Sequence, residues 1–414
     1  MSIPNEASHD LLEASSPVQE RWHRPFPEHE RPSEGIALCL SGGGYRAMLF
    51  HLGALQRLNE FGYLPKVRQV SSVSGGSITA GVLGLHWDAL DFAADGVAAN
   101  FDAEVVSPIR RLAGVSIDIR AVLMGLLLPG GAAARLVAAY SQHLFGDATL
   151  QRLPDTPLIV INATNLQTGA LWRFSKPLMA DHRVGIVRNP AVSLATAVAA
   201  SSAFPPFLSP VRLKVAAADY ASMTDAEYTT TDLHRKPFAT RVVLTDGGVY
   251  DNLGLETAWK NWDTILISDG GQKLQPSKRP WSIWPVQLLR VLGVIDNQVR
   301  SRRKDQALRS FQLRRALLAA GEPEQSAFFQ LATRKGAYWH MADDLNAYQL
   351  PGILECDLAQ TTKLARLGTR LAKLNDATQE RLINWGYAAC DAQMRLWVDR
   401  TLPPPNGFPY PGDG

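Results

Sequence analysis

Cysteine is scarce in this 414-residue chain. Cys39, Cys356 and Cys390 are far apart and odd in number, so no disulfide framework is expected. Without a CxxC pair, a cysteine-built zinc site is not expected either, and no metal or cofactor is anticipated. A reducing compartment, the cytoplasm, suits such a chain. Long apolar runs are also missing. The run over residues 121–129 is closed by Arg120 on one side and Gly130-Gly131 on the other. It falls well short of the roughly 20 apolar residues that a spanning helix needs. The polar, acidic residues 1–34 carry no basic start followed by an apolar core, so no secretory signal is expected. A large excess of one charge is absent too. The net charge of +3 argues neither for nor against nucleic acid, because local clusters matter more than the sum. No nucleic-acid motif occurs, and no such partner is expected.

What is present suits a globular protein with a substantial core: 46% apolar and 20% charged residues. Residues 1–34 read as a flexible leader, and 401–414 as a flexible Pro/Gly-rich tail. Between them, short apolar runs alternate with helical patterns. Strands are expected at Ile36–Leu40, Val67–Val73, Leu158–Ala163, Val242–Thr245 and Thr264–Ser268, and one more at Ala327–Leu331. Helical spacing appears from Tyr45 to Phe61, from Ser74 to Leu85 and from Ser193 to Ala200. Strands alternating with helices imply βαβ units and a mostly parallel sheet covered on both faces, an α/β fold. Two regions break the rhythm and read as helical: about 100–150 and about 284–398.

Three segments carry chemistry. In LSGGGYRA, Leu40 to Ala47, a strand feeds three glycines and then a helix. Backbone N–H groups left uncovered there can cradle an anion, either a phosphate or a developing oxyanion. In QVSSVSGGSITAGVLGL, Ser74 follows a strand, and Gly75 and Gly76 open a helix. This is the layout of a nucleophile elbow, although Ser72 stands where the G-x-S-x-G pattern has its first glycine. In VVLTDGGVYDNLG, a strand delivers Asp246 into two glycines, at the C-terminal end of what reads as a parallel strand. Asp251 is placed to cap the next helix. Residues 267–271, ISDGG, repeat the look around Asp269, but Asp246 is the preferred base. Each segment alone is explained by a tight turn. Together they supply a nucleophile, a base and N–H donors, the three parts that acyl transfer needs.

With these motifs in this order, the chain resembles the patatin-like phospholipases. Two further blocks agree: INATNLQTGALWRF, Ile161 to Phe174, and ATAVAASSAFPPFLSPV, Ala195 to Val211. The resemblance implies a three-layer α/β/α fold forming a single hydrolase domain over 35–400. It also implies a Ser–Asp dyad without histidine. Ser74 attacks the ester carbonyl and Asp246 accepts its proton. Gly42, Gly43, Gly44 and Gly75 offer oxyanion N–H groups, and Arg46 steadies the glycine loop. The implied activity is that of a lipid acyl hydrolase, a phospholipase A or lysophospholipase-type esterase. The residues agree that no triad is needed. His340, the one histidine after Asp246, sits in no triad context, and His51 reads as a packing residue.

From Lys273 to Arg315 there are eleven Lys or Arg against Asp296 and Asp305, with Trp281 and Trp284 among them. Such a segment suits an anionic lipid surface, and equally a basic face that meets acidic residues within the protein. A peripheral membrane location is therefore one expectation. Two alternatives to a plain lipase remain at this stage. One is a signal-gated, membrane-degrading effector of the same fold, whose mark would be a ligand pocket among the C-terminal helices. The other is a non-catalytic lipid- or phosphate-binding module.

Overall fold

The computed structural model describes residues 32–117, 131–221, 232–272, 274–280 and 283–411. Most of the expected leader, the 121–129 run, Lys273, Trp281 and the last three residues of the expected tail lie outside the described residues.

The elements follow in this order: β1 (Ser33–Leu40), α1 (Gly44–Glu60), β2 (Val67–Ser72), α2 (Gly75–Leu85), α3 (Ser107–Ala113), α4 (Gly131–Tyr140), β3 (Leu158–Asn165) and β4 (Leu171–Phe174). Next come β5 (Leu178–Asp181), β6 (Gly185–Arg188), α5 (Leu194–Ser201), β7 (Val211–Lys214), β8 (Arg241–Asp246), α6 (Gly248–Asp251), α7 (Leu255–Asn261) and β9 (Trp262–Asp269). The chain ends with α8 (Trp284–Ala319), α9 (Ala327–Ala332), β10 (Lys335–His340), α10 (Leu358–Ala365) and α11 (Asp376–Trp397).

The sheet runs β10-β9-β1-β2-β3-β4-β5-β6. Its first five strands are parallel, as buried apolar runs linked by helices require. Side chains of β1 alternate between two apolar clusters. Leu38 and Leu40 join the cluster that contains α1 and α2, while Ala37 and Cys39 join Leu255, Ala258 and Phe311 on the other face. Both faces are therefore covered, which is the expected three-layer arrangement.

Helix α1 is buried from Gly44 to Asn59 and packs closely on α11. Polar residues enclosed with it are hydrogen-bonded, Arg57 to Asp391 at 2.9 Å and Asn59 to Ala98 O at 3.1 Å. The crossing requires glycine on both partners. A Cβ on Gly53 would strike the Ile383 carbonyl, and one on Gly386 would strike the Phe50 carbonyl.

Three sequence expectations differ from the structure. Asp246 ends a strand that is antiparallel to its neighbour β3, not a parallel one. Residues 327–332 form a helix, capped by the Ser326 hydroxyl on the Phe329 N–H, and the strand comes later, at Lys335–His340. Apolar content alone does not separate a short helix from a strand, and the cap decides. The expected tail is held down as far as it is described. Asn384 exchanges two hydrogen bonds with the Tyr410 backbone, at 2.9 and 3.1 Å, and Arg57 donates to the Pro403 carbonyl at 2.6 Å.

Candidate active site

Strand β3 organises the site. Its first half pairs with β2, from Gln69↔Leu158 to Ser72↔Ile161. Its last residues pair with β8, Ala163↔Asp246 and Asn165↔Leu244. The other edge of β3 is taken by β4. Strands β2 and β8 thus share one edge of β3 and run toward each other, so their C-terminal ends meet. Ser74 follows one end, and Asp246 closes the other.

Ser74 has φ 51° and ψ −117°, a conformation that a serine adopts only when its surroundings impose it. The neighbours explain why glycines flank it. A Cβ on Gly75 would strike the Gly44 carbonyl, and one on Gly76 would strike the Leu40 carbonyl. The Gly76 N–H donates to Ser41 O at 3.1 Å. Ser72, the departure from the glycine pattern, fits because its hydroxyl is used: it donates to Val160 O at 3.1 Å and accepts from Ser77 Oγ at 3.0 Å.

Ser201, at the end of α5, fastens both partners. Its hydroxyl accepts the Ser74 N–H at 3.0 Å and donates to Asn162 O at 2.6 Å. Its carbonyl accepts the Gly247 N–H at 3.1 Å. Asn162 Nδ2 in turn donates to Ser72 O at 3.0 Å. Neither Ser201 nor Asn162 is singled out by the motifs. The available signal is a polar residue inside an otherwise apolar stretch, in each of the two supporting blocks.

The Asp246 carboxylate accepts the Gly248 N–H at 2.7 Å, and the Ser74 side chain is near enough to favour its charged form. Its pKa is pushed up to about 7. Burial is the largest cause, the Gly248 N–H and Ser74 pull the other way, and the negative charge of Asp296 on α8 adds to the rise. Such a group is poised to exchange a proton near neutral pH.

The glycine loop lies against Ser74: a Cβ on Gly42 would stand 3.2 Å from Ser74 Cβ and would strike Asn252 Oδ1. The Gly42 N–H departs from expectation, because it donates to Asn252 O at 3.0 Å. Among the described residues, no hydrogen bond is seen from the N–H groups of Gly43, Gly44 or Gly75. Gly44 and Gly75 each stand first in their helix, where N–H groups have no intrahelical partner. Arg46 is buried and bridges this loop to distant chain. Its Nε donates to Gly270 O at 3.1 Å, and its Nη1 donates to Leu367 O.

The remaining candidates separate from this centre. Asp269 ends β9, two strands from β2, and accepts from the Gly271 N–H at 2.9 Å and the Tyr338 hydroxyl at 2.7 Å. Burial raises its pKa, but Arg300 and these donors outweigh it and lower the value. His51 is buried between Ser41 O at 2.9 Å and Ser268 Oγ at 2.7 Å. Burial pushes its pKa down to about 4, so it is a neutral packing residue. His340 stands beside Asp269 on the edge strand β10. Asp251 caps α7, accepting the Glu256 N–H at 2.9 Å.

Helix α8 divides into two halves. In its C-terminal half several basic residues have partners, although Arg302, Arg309 and Arg315 are exposed. Arg303 pairs with Glu256 at 3.0 Å, Arg314 with Glu324, and Arg309 with Asp305 at 3.1 Å. Arg315 lies over the Trp397 ring at 4.1 Å. Part of the basic surplus read from the sequence is therefore met by Glu256 and Glu324 from outside the segment. The N-terminal half exposes apolar side chains instead, including Trp284 (74%), Ile295 (53%) and Leu288 (51%), and Ile283 (57%) just before the helix joins them. No acidic residue occurs between Asp269 and Asp296, whereas Lys278 and Arg279 are exposed. Among the described residues, no helix is long and apolar enough to cross a membrane.

Residues 38–259, more than half of the chain, match the family described as Patatin-like phospholipase, and the chain belongs to that family. A comparison with curated protein sequences finds no match. Among solved structures, the chain is similar to human GIVD cytosolic phospholipase A2, with 14% identity and a TM-score of 0.47, over 94% of this chain and 65% of that one. The same human enzyme in complex with methyl gamma-linolenyl fluorophosphonate inhibitor and terbium chloride gives 15% identity and a TM-score of 0.48, over 94% and 63%. VipD from Legionella pneumophila gives 15% identity and a TM-score of 0.32, over 87% and 66%. The chain thus spans under two thirds of the length of the human phospholipase.

Proposed function

We propose that this protein is a lipid acyl hydrolase of the phospholipase A or lysophospholipase type, working through a Ser74–Asp246 dyad. Ser74 Oγ attacks the ester carbonyl while Asp246 takes its proton. The oxyanion that forms accepts hydrogen bonds from the N–H groups of Gly43, Gly44 and Gly75. Gly42 serves by its lack of a side chain, and Arg46 acts as a positioning residue that ties the loop to Gly270. Collapse breaks the ester C–O bond, and the departing alcohol receives the proton from Asp246. An acyl group remains on Ser74. A water molecule, deprotonated by Asp246, then attacks this acyl ester, and fatty acid leaves as Ser74 recovers its proton.

The observation that carries this reading is the meeting of a strained serine with a buried carboxylate whose pKa lies near 7. No histidine is required, because the carboxylate is itself basic enough. The substrate approaches from a membrane surface on which the N-terminal half of α8 rests. Trp284 and its apolar neighbours enter the interface, while Lys278 and Arg279 meet anionic headgroups.

The test is hydrolysis of mixed phospholipids and of a short-chain nitrophenyl ester by the wild type and by Ser74→Ala, Asp246→Asn and His340→Ala. Product release is expected to disappear in the first two and to survive in the third. Activity persisting in folded Ser74→Ala would overturn the assignment.

A further inference from the structure

Gly42 and Gly248 belong to different motifs, one in the loop before α1 and one in the turn after Asp246. Neither has a positive φ, so neither needs to be glycine for its backbone conformation. Both make room for the same side chain. A Cβ on Gly42 would lie 2.3 Å from Asn252 Oδ1, and a Cβ on Gly248 would lie 2.8 Å from it. A helical side chain leans back over the residue four positions earlier, and for Asn252, at the end of α6, that residue is Gly248.

The place these glycines leave open borders the reacting groups. The Cβ position of Gly42 is 3.2 Å from Ser74 Cβ, and that of Gly248 is 3.0 Å from Asp246 Oδ1. The Asn252 amide therefore stands beside both the serine turn and the carboxylate.

The amide has no structural task among the described residues. The cap of α7 is made by Asp251, which accepts the Leu253 N–H at 3.2 Å and the Glu256 N–H at 2.9 Å. Asn252 contributes its backbone carbonyl, which accepts the Gly42 N–H at 3.0 Å. Its side chain has no hydrogen bond to any described residue. Asn252 is half-buried, and neither end of its amide is sealed from solvent. With Oδ1 held against the two glycines, Nδ2 is the free end, and it carries two N–H donors. The group that needs a donor during attack by Ser74 is the ester carbonyl oxygen as it gains negative charge. The Gly42 N–H is not available to it, being occupied by Asn252 O.

We propose that Asn252 is a further catalytic residue, whose Nδ2–H donates to the oxyanion alongside the N–H groups of Gly43, Gly44 and Gly75. The assignment rests on the Ser74–Asp246 reading. It gives the oxyanion a side-chain donor at the point where the glycine loop lacks a free backbone one. The amide stays neutral throughout. Its hydrogen bond strengthens as the carbonyl oxygen becomes charged and weakens again when the ester C–O bond breaks.

The experiment compares Asn252→Leu and Asn252→Ala with wild type on the nitrophenyl ester, with Ser74→Ala alongside. Leucine has nearly the shape of the asparagine side chain and no N–H, so it fills the space without donating. Loss of one oxyanion donor lowers kcat by about 10²–10³-fold, and both variants are expected in that range, with KM within threefold of wild type. A trifluoromethyl ketone, which a serine converts to a charged hemiketal, should lose affinity by the same factor as kcat/KM. An alkyl amide of the same chain, which stays uncharged, should bind within threefold of wild type. Wild-type rates in Asn252→Leu would make the amide a space filler and overturn the assignment. Equal weakening of both inhibitors marks a packing defect and overturns it too. A nitrophenol burst at the wild-type rate followed by slow turnover would place the amide on the deacylating water instead, again overturning it. Asn252→Ala decides if Asn252→Leu fails to fold. Activity in folded Ser74→Ala overturns the underlying dyad, whereas a dead Ser74→Ala with unaffected Asn252 variants overturns this assignment alone. Should the wild type not turn over, the rate at which an alkyl fluorophosphonate labels Ser74 replaces hydrolysis. Slower labelling is expected in both Asn252 variants, and equal labelling overturns the role. A wild type that neither hydrolyses nor labels overturns dyad and donor together.

Discussion

Ser74 and Asp246 stand where the C-terminal ends of β2 and β8 meet along one edge of β3, near enough for the Ser74 hydroxyl to favour the charged form of the Asp246 carboxyl. The two residues are 172 positions apart in sequence (246 − 74), yet one strand sets their separation. This architecture places a serine just past one strand end and a carboxylate at another, which preorganises the pair.

The first prediction concerns pH. With Asp246 raised to about 7, the basic form is lost in acid, so kcat/KM falls about tenfold per pH unit below that value. The stability effect has a definite sign. The folded pKa is above the reference of 3.8, so the Asp246 contribution is fully present below 3.8 and is lost as pH rises through about 7. Asp246→Asn is therefore expected to gain stability over wild type on going from pH 5 to pH 8, by on the order of a few kcal/mol. Chemical denaturation at the two pH values measures it. A constant difference would contradict the raised pKa.

Asp296 offers a finer control. It lies on α8, one residue beyond the exposed apolar half, and its charge raises the Asp246 pKa. Its own carboxyl is also raised, mainly by burial. Asp296→Asn removes a negative charge facing the base, so the acid limb of the pH–rate profile is expected to move to lower pH. The plateau rate at high pH should change little, since Asp296 touches no reacting atom. A profile that stays in place would remove Asp296 from the electrostatics of the site.

Much of this arrangement is legible in the sequence, and the part that is not has a physical reason. Ser74 and Asp246 stand out because each ends an apolar run and is followed by paired glycines, a local pattern. The direction of β8 is not local. Its residues read like those of a buried parallel strand, and only its pairing with β3 reveals that it runs antiparallel. The same holds for Gly42, whose N–H is taken by Asn252, 210 positions later (252 − 42). The basic count of residues 273–315 is visible at once, but the pairing of Arg303 with Glu256 and of Arg314 with Glu324 depends on tertiary packing.

Ser201 tests how rigidly the elbow must be held. Its hydroxyl accepts the Ser74 N–H and its carbonyl accepts the Gly247 N–H, so one residue registers Ser74 against Asp246. Ser201→Ala leaves the buried Ser74 N–H without an acceptor, which costs about 1–3 kcal/mol of stability. It is expected to lower kcat by about 10- to 100-fold with little change in KM, because a small misplacement of reacting groups carries a penalty of that order. Ser201→Thr, which keeps the hydroxyl, should recover most of the loss. Equal defects in both variants would point to packing rather than to the hydrogen bond.

The last prediction separates surface binding from chemistry. Trp284, Leu288 and Leu292 recur every four residues along α8 and are 74%, 51% and 43% exposed, so they form one apolar stripe facing outward. Burying such a stripe in a lipid interface stabilises the bound state by roughly 25 cal/mol per Å² of apolar surface. The variant Leu288→Gln/Leu292→Gln exposes polar groups there and touches no residue of the Ser74 centre. Its rate on a soluble nitrophenyl ester is expected to match wild type, while its rate on phosphatidylcholine vesicles containing anionic lipid falls at least tenfold. Sedimentation with the same vesicles should show the loss of binding directly. If both rates fell together, or if the wild type self-associated through α8 and the variant became monomeric, the stripe would be a protein interface and not a membrane contact.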